Sequence, residues 1–122
     1  MVSEVLVGVD VVEIERVAEA LRLFREKFVF RLFAEEEVAF YRGRGQRRWQ
    51  EGLAALFAGK EAVKKLFLQK GLSLGWRDIR ILHSPSGEPQ VLLEKSNGVF
   101  CKITLSLSHS REIVVAVALG VV

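Results

Sequence analysis

Three lysines and a glutamate at helical spacing carry the first chemistry in this chain. In Phe57-Ala58-Gly59-Lys60-Glu61-Ala62-Val63-Lys64-Lys65, Glu61 and Lys65 are four residues apart, and so are Lys60 and Lys64. On a helix each pair shares a side. Ala54, Ala58 and Ala62 lie beside Glu61 and Lys65. Such small residues let a bulky group approach the backbone and leave the carboxylate reachable. A carboxylate and three ammonium groups on a largely apolar helix suit a metal ion and an anionic substrate. The same spacing is also the ordinary exposed Glu–Lys pair, worth about 0.2–0.5 kcal/mol, and pattern alone favours that plainer reading. A second carboxylate and phosphate-binding groups elsewhere would reverse the preference.

Asp10 is the second carboxylate that stands out. It lies inside the apolar run Val5–Val12, although aspartate is depleted in strands. Buried there it needs a cation or donors as partner, and Gly8 on the same face leaves room for close approach. Equally, Asp10 ends the strand and caps the next helix. Arg42-Gly43-Arg44-Gly45-Gln46-Arg47-Arg48-Trp49 is the most basic stretch. Its glycines predict a loop whose guanidinium forks match phosphate oxygens; a plain surface loop or an RNA contact with Trp49 stacking fits equally. Glu35-Glu36-Glu37 reads as the first turn of a helix rather than a metal site. His109 ends a strand, where histidines are more often structural; no acid and nucleophile at triad spacing surround it, which excludes a serine hydrolase.

The elements that must position these residues follow from periodicity. Val5–Val12 alternates as a strand, with Leu6, Gly8, Asp10 and Val12 on one face and Val5, Val7, Val9 and Val11 on the other. Glu13 to about Arg25 is an amphipathic helix with Ile14, Val17, Leu21 and Phe24 as its buried stripe. Arg16, Arg22 and Arg25 are exposed or flanking cations, a solvated face unless an acidic partner docks there. Phe28–Phe33 is a short helix or strand. The long helix runs from about Glu51 to Gln69, closed by Gly71, with Leu53, Leu56, Val63 and Phe67 in the core. Trp76–Leu82, Gln90–Leu93, Lys102–Ser108 and Ile113–Val122 are strands, separated by turns at Ser84–Pro89, Lys95-Ser96-Asn97-Gly98 and Ser108–Glu112. This order predicts an α+β fold: a mainly antiparallel sheet, joined by Val5–Val12, with the long helix packed across it.

At 122 residues, half of them apolar, the chain is one domain spanning 1–122. No apolar run reaches a membrane span, and Met1-Val2-Ser3-Glu4 lacks a signal-peptide pattern. The single Cys101 excludes an internal disulfide and a thiol-rich zinc site, and a packed structural thiol is expected. A cytoplasmic protein is the simplest fit. The net charge of +3 favours acidic partners only mildly, and no nucleic-acid partner is expected.

Four stretches together carry a resemblance: Gly8-Val9-Asp10-Val11-Val12-Glu13-Ile14-Glu15-Arg16-Val17, Phe57 to Lys65, Gly87-Glu88-Pro89, and Ser106-Leu107-Ser108-His109-Ser110. In order and spacing the chain resembles the holo-[acyl-carrier-protein] synthases, the small bacterial-type 4′-phosphopantetheinyl transferases. The resemblance implies transfer of the phosphopantetheine arm of coenzyme A to a serine of apo acyl carrier protein, releasing adenosine 3′,5′-bisphosphate, in support of fatty acid synthesis. It implies Mg²⁺ held by Asp10 and Glu61, and Lys65 against the pyrophosphate. Arg48, Lys60, Lys64, Lys65, Pro89, His109 and Ser110 become the candidates to hold coenzyme A. The serine proton would go to Glu61, to a water on the metal, or to His109. Arg16, Arg22 and Arg25 would dock the acidic carrier protein, Arg16 being the direct match. The family's small members are trimers with sites between subunits, so a homotrimer is expected. Leu56 and Glu88 stand where the family commonly has basic residues, which lowers the expected affinity for coenzyme A. Two other classes compete: a non-catalytic polyanion-binding module built on Arg42–Trp49, and a metal-dependent pyrophosphate hydrolase, whose dense glutamate helix is lacking.

Overall fold

In the computed structural model, residues 4–94 and 98–122 are described; the first three residues and positions 95–97 of the turn expected at 95–98 lie outside them. The chain runs β1 (Val5–Glu13), α1 (Ile14–Phe24), α2 (Glu26–Leu32), α3 (Glu35–Val38), α4 (Gln46–Leu68), a 3₁₀ turn (Trp76–Asp78), β2 (Ile79–His83), β3 (Pro89–Leu93), β4 (Lys102–His109) and β5 (Ile113–Val121). The α+β class and the long helix across an antiparallel sheet are as expected. The strands, however, form two sheets: β1-β5-β4, and a separate β2-β3 hairpin. β3 lies beside β4 without entering its ladder.

Alternation sorts β1 and β5 as period two requires. Val12, Val114, Ala116 and Ala118 are buried under α4, while Val5, Val7, Val9 and Val11 are 46–56% exposed on the far face. Register places Gly8 opposite Ala118 and Asp10 opposite Ala116. These small residues meet Ala58 and Ala62 of α4, both buried, so helix and sheet come close. A side chain at Gly8 would run into the Ala62 carbonyl. Thus the room beside the alanines of α4 is taken by β1 rather than left to a ligand.

Local expectations shift in several places. α4 begins at Gln46 rather than Glu51, so Arg47, Arg48 and Trp49 lie in its first turn. Trp76–Asp78 is a 3₁₀ turn preceding β2. Phe28–Phe33 resolves mostly into α2, whose Val29 and Leu32 are buried. Phe24 is exposed, because Arg25 turns the chain with φ +51° before the stripe closes. Cys101 is exposed rather than packed.

Candidate active site

The contact of β1 with α4 brings the two carboxylates together. Asp10 and Glu61 line one cavity of about 580 Å³, with Val11, Val12 and Glu13 from β1, Arg16, Val17 and Ala20 from α1, Phe28 from α2 and Phe57 from α4. Lys65 reaches across to β1: its ammonium donates to the Val9 carbonyl at 2.7 Å and to Asp10 Oδ1 at 3.2 Å. The Asp10 side chain keeps 16% of its surface in solvent and Lys65 keeps 45%. Asp10 is therefore a half-sheltered carboxylate with a cation beside it, and it does not cap α1.

This donor set fits a hard cation such as Mg²⁺. Three carboxylates line the cavity, Asp10, Glu13 and Glu61; Asp10 and Glu61 would supply oxygen ligands, few enough to leave coordination sites for water or phosphate. Among the described residues no group of three or more histidine, cysteine or acidic side chains is placed to hold a metal.

The other expected site residues separate. Arg48 and His109 line a second cavity, about 320 Å³, with Tyr41, Glu51, Gly52 and Ala55; it shares no lining residue with the first. His109 Nδ1 lies 4.0 Å from Glu51 and 3.4 Å from the Ser110 carbonyl, and Ser110 is exposed. Pro89 opens β3 opposite His83. Lys64 places its ammonium 3.9 Å above the Trp76 ring, which stacks on Phe57 at 5.1 Å.

Lys60 corrects the expectation most sharply. Its side chain has no solvent exposure, so no solvent-borne phosphate reaches it. The ammonium donates to Glu37 Oε2 at 2.8 Å, the Leu32 carbonyl at 2.8 Å and the Trp76 carbonyl at 2.9 Å. Burial lowers its pKa while the Glu37 carboxylate pushes it back up. Lys60 thus leaves the set of candidate coenzyme ligands. Leu56 is likewise fully buried in the core. Its lack of charge therefore leaves no gap at a solvent-facing site. Glu88 is exposed, and hydrogen bonds from Ser86 and Ser84 hold its carboxyl below the usual range.

The basic stretch is largely spoken for. Arg42 binds Glu35 at 2.6 Å and Glu26 at 3.2 Å and lies over Trp49; these carboxylates raise its pKa. Arg44 lies over Phe40 at 4.3 Å, and Arg47 binds Glu51 and the Arg111 carbonyl. The docking trio is divided too. Arg16 borders the cavity of Asp10 and Glu61, whereas Arg22 and Arg25 flank a separate hollow, with Arg22 paired to Glu15 and Glu19.

Sequence reasoning missed Glu37, Phe28, Tyr41 and Glu51. Tyr41 packs over Gly52 and its hydroxyl meets His83 Nε2 at 2.9 Å. Burial pushes the phenol up to about 12, against a smaller opposing effect of Arg44. Nothing near Glu37 or Tyr41 in sequence announces these partners, which come from β2 and α4.

Comparison with known proteins gives the class. A profile of the 4′-phosphopantetheinyl transferase superfamily matches residues 6–118. A holo-[acyl-carrier-protein] synthase of Geobacillus sp. (strain WCH70) is 39% identical over 111 residues, covering 90% of each chain. One from Caldanaerobacter subterraneus is 34% identical over 124 residues, covering 97% of this chain and 95% of that protein. The crystal structure of the Helicobacter pylori holo-[acyl-carrier-protein] synthase in complex with coenzyme A superposes with a TM-score of 0.82 at 28% identity, over 94% of this chain and 99% of that one. A Bacillus anthracis synthase structure gives 0.81 at 27%, over 98% of each. The fold is that of the holo-[acyl-carrier-protein] synthases. The chain belongs to the 4′-phosphopantetheinyl transferase superfamily, and within it to the holo-[acyl-carrier-protein] synthases.

Proposed function

We propose that the protein moves 4′-phosphopantetheine from coenzyme A to a serine of apo acyl carrier protein, with Mg²⁺, in the cytoplasm, in support of fatty acid synthesis. The observation that carries this reading is that Asp10 and Glu61 line one cavity while Lys65 bonds to Asp10. The membership of the chain in the family and the coenzyme A complex of the H. pylori relative support it. In the reaction the serine oxygen forms a bond to the β-phosphorus, and the bond to adenosine 3′,5′-bisphosphate breaks. Asp10 and Glu61 would hold Mg²⁺, which would supply charge neutralisation for the pyrophosphate and the departing phosphate. Lys65 adds a mobile ammonium that can pass from Asp10 to phosphate oxygen. Glu61 accepts the serine proton, being the base candidate that shares the cavity with Asp10. Most of the rate enhancement is positioning and electrostatic stabilisation.

We also propose that the working form is a trimer with shared sites. Val5, Val7, Val9 and Val11 continue into Val117 and Leu119 as one exposed apolar sheet face, larger than scattered surface residues need. The separation of Arg48 and His109 from Asp10 and Glu61 supports a site in which one subunit brings the carboxylates and its neighbour the coenzyme-binding groups. Arg16 on the cavity rim docks the acidic carrier protein.

The test is intact-protein mass spectrometry of apo acyl carrier protein incubated with the protein, coenzyme A and Mg²⁺. A gain of one phosphopantetheine, abolished by EDTA, is expected. Coenzyme A binding without any transfer to carrier proteins would sink the reading.

A further inference from the structure

Lys60 and Glu37 form a fully buried ion pair that the transfer chemistry does not use. The pair is saturated. Glu37 Oε2 accepts from Lys60 and from the Ala34 amide at 2.7 Å, and Oε1 accepts from the Ile81 amide at 2.9 Å. Lys60 spends its other two donors on the Leu32 and Trp76 carbonyls, with the Phe33 ring 5.2 Å away. One ammonium–carboxylate contact thereby joins the end of α2, the start of α3, the middle of α4, the 3₁₀ turn and β2.

The position of this knot relative to the cavity is the telling point. Lys60 lies in the same turn of α4 as Phe57 and Glu61, both of which line the cavity shared with Asp10. Leu32 lies one turn beyond Phe28, which lines the same cavity from α2. Trp76, the third acceptor, stacks on Phe57 and carries Lys64 over its ring. A buried ion pair is a weak source of stability compared with apolar residues of the same size. A directional five-bond knot, in contrast, fixes register and rotation. We propose that the Lys60–Glu37 pair is a positioning device for the active site. It holds the turn of α4 that bears Glu61 at a set rotation and distance from the Phe28 wall, and so fixes where the Glu61 carboxylate meets Asp10. This rests on the transferase reading above.

Two variants test it: Glu37→Gln, which keeps the shape and the Lys60 carbonyl bonds, and the double variant Glu37→Gln/Lys60→Met, which removes both buried charges. Each is assayed at a temperature where circular dichroism shows it native. Transfer is followed by mass spectrometry, and Mn²⁺ binding in the presence of coenzyme A by electron paramagnetic resonance. The expected result is a fall in kcat of about 10–100-fold and a weakening of Mn²⁺ affinity of about tenfold, the size of effect known for groups that orient metal ligands. KM for the carrier protein stays within about twofold, since its docking surface is untouched. A purely structural role would lower the melting temperature and leave kcat and Mn²⁺ affinity of the native protein unchanged; that result overturns the proposal. Unfolding of both variants also overturns it, because the pair would then serve the whole core rather than the site. An unsubstituted protein that neither transfers nor binds Mn²⁺ would instead overturn the functional reading, and this inference with it.

Discussion

Asp10 and Glu61 stand on different elements, and each needs the other to make chemical sense. Asp10→Ala or Glu61→Ala should lower transfer by on the order of 10²-fold or more, with far-ultraviolet circular dichroism unchanged; full activity in either variant would remove the metal assignment. Lys65→Met should be less severe toward metal binding, because Lys65 touches Asp10 and the Val9 carbonyl rather than supplying a ligand. Tyr41 offers an independent check of the packing. It is the only tyrosine, so absorbance near 295 nm reports it alone. In the native protein it should ionise near 12, and near 10 once unfolded. The folded state holds the proton more tightly, so this contribution to stability is present below pH 10 and is lost as pH rises beyond it. A native titration near 10 would mean that the ring is not buried against Gly52.

At the level of elements, the site depends on how closely β1 and α4 approach. Gly8 permits that approach, since any side chain there meets the Ala62 carbonyl. Gly8→Ala should cost about 1–3 kcal/mol by overpacking and depress transfer more than Val7→Ala does. Equal effects on both would show that the strand–helix spacing does not set the Asp10–Glu61 geometry. The β2-β3 hairpin carries a second sensitive point. His83 sits under Phe40, stacked at 4.1 Å, with Nδ1 buried and without a hydrogen-bond partner among the described residues. Burial, and then Arg44, lower its pKa below 6.5. The unfolded chain therefore binds the proton more readily, and stability falls as pH drops through 6.5, until the lower folded value is passed. His83→Gln should flatten the fall of the melting temperature as pH drops below about 6.5; an unchanged slope would place the loss elsewhere.

For the whole molecule the unanswered surface is the valine face of β1 and β5. Its four β1 valines pair across the ladder with Val115, Val117, Leu119 and Val121, making an apolar sheet surface that the described residues leave open. Val7→Lys/Val9→Lys should shift light-scattering mass from trimer to monomer, and transfer should fall with it if sites are shared. A variant that is monomeric yet fully active would rule out a site completed by a neighbour. The double substitution leaves Asp10 and Glu61 in place, so a loss of activity would report assembly rather than chemistry.

Period-two alternation placed the valines and Asp10 on opposite faces of β1, and helical spacing set Glu61 four residues before Lys65; both follow from local geometry that the chain carries in any setting. The α+β class came from the same source; the joining of Asp10 to Glu61 came instead from the resemblance of four motifs to a known family. What folding decided is which of several equivalent cations faces solvent. Lys60, Lys64 and Lys65 look alike in sequence, yet the first is buried on Glu37, the second lies over Trp76 and the third bonds to Asp10. The arginines of the basic stretch were equally undifferentiated until Glu26, Glu35 and Glu51 claimed Arg42 and Arg47. The division of the strands into two sheets, and of the expected site into two cavities, was hidden for the same reason. Partner choice depends on side chains tens of residues apart, 23 between Glu37 and Lys60 and 55 between Asp10 and Lys65. Such pairs meet only once the close packing of small residues on β1, β5 and α4 has fixed the distance between helix and sheet.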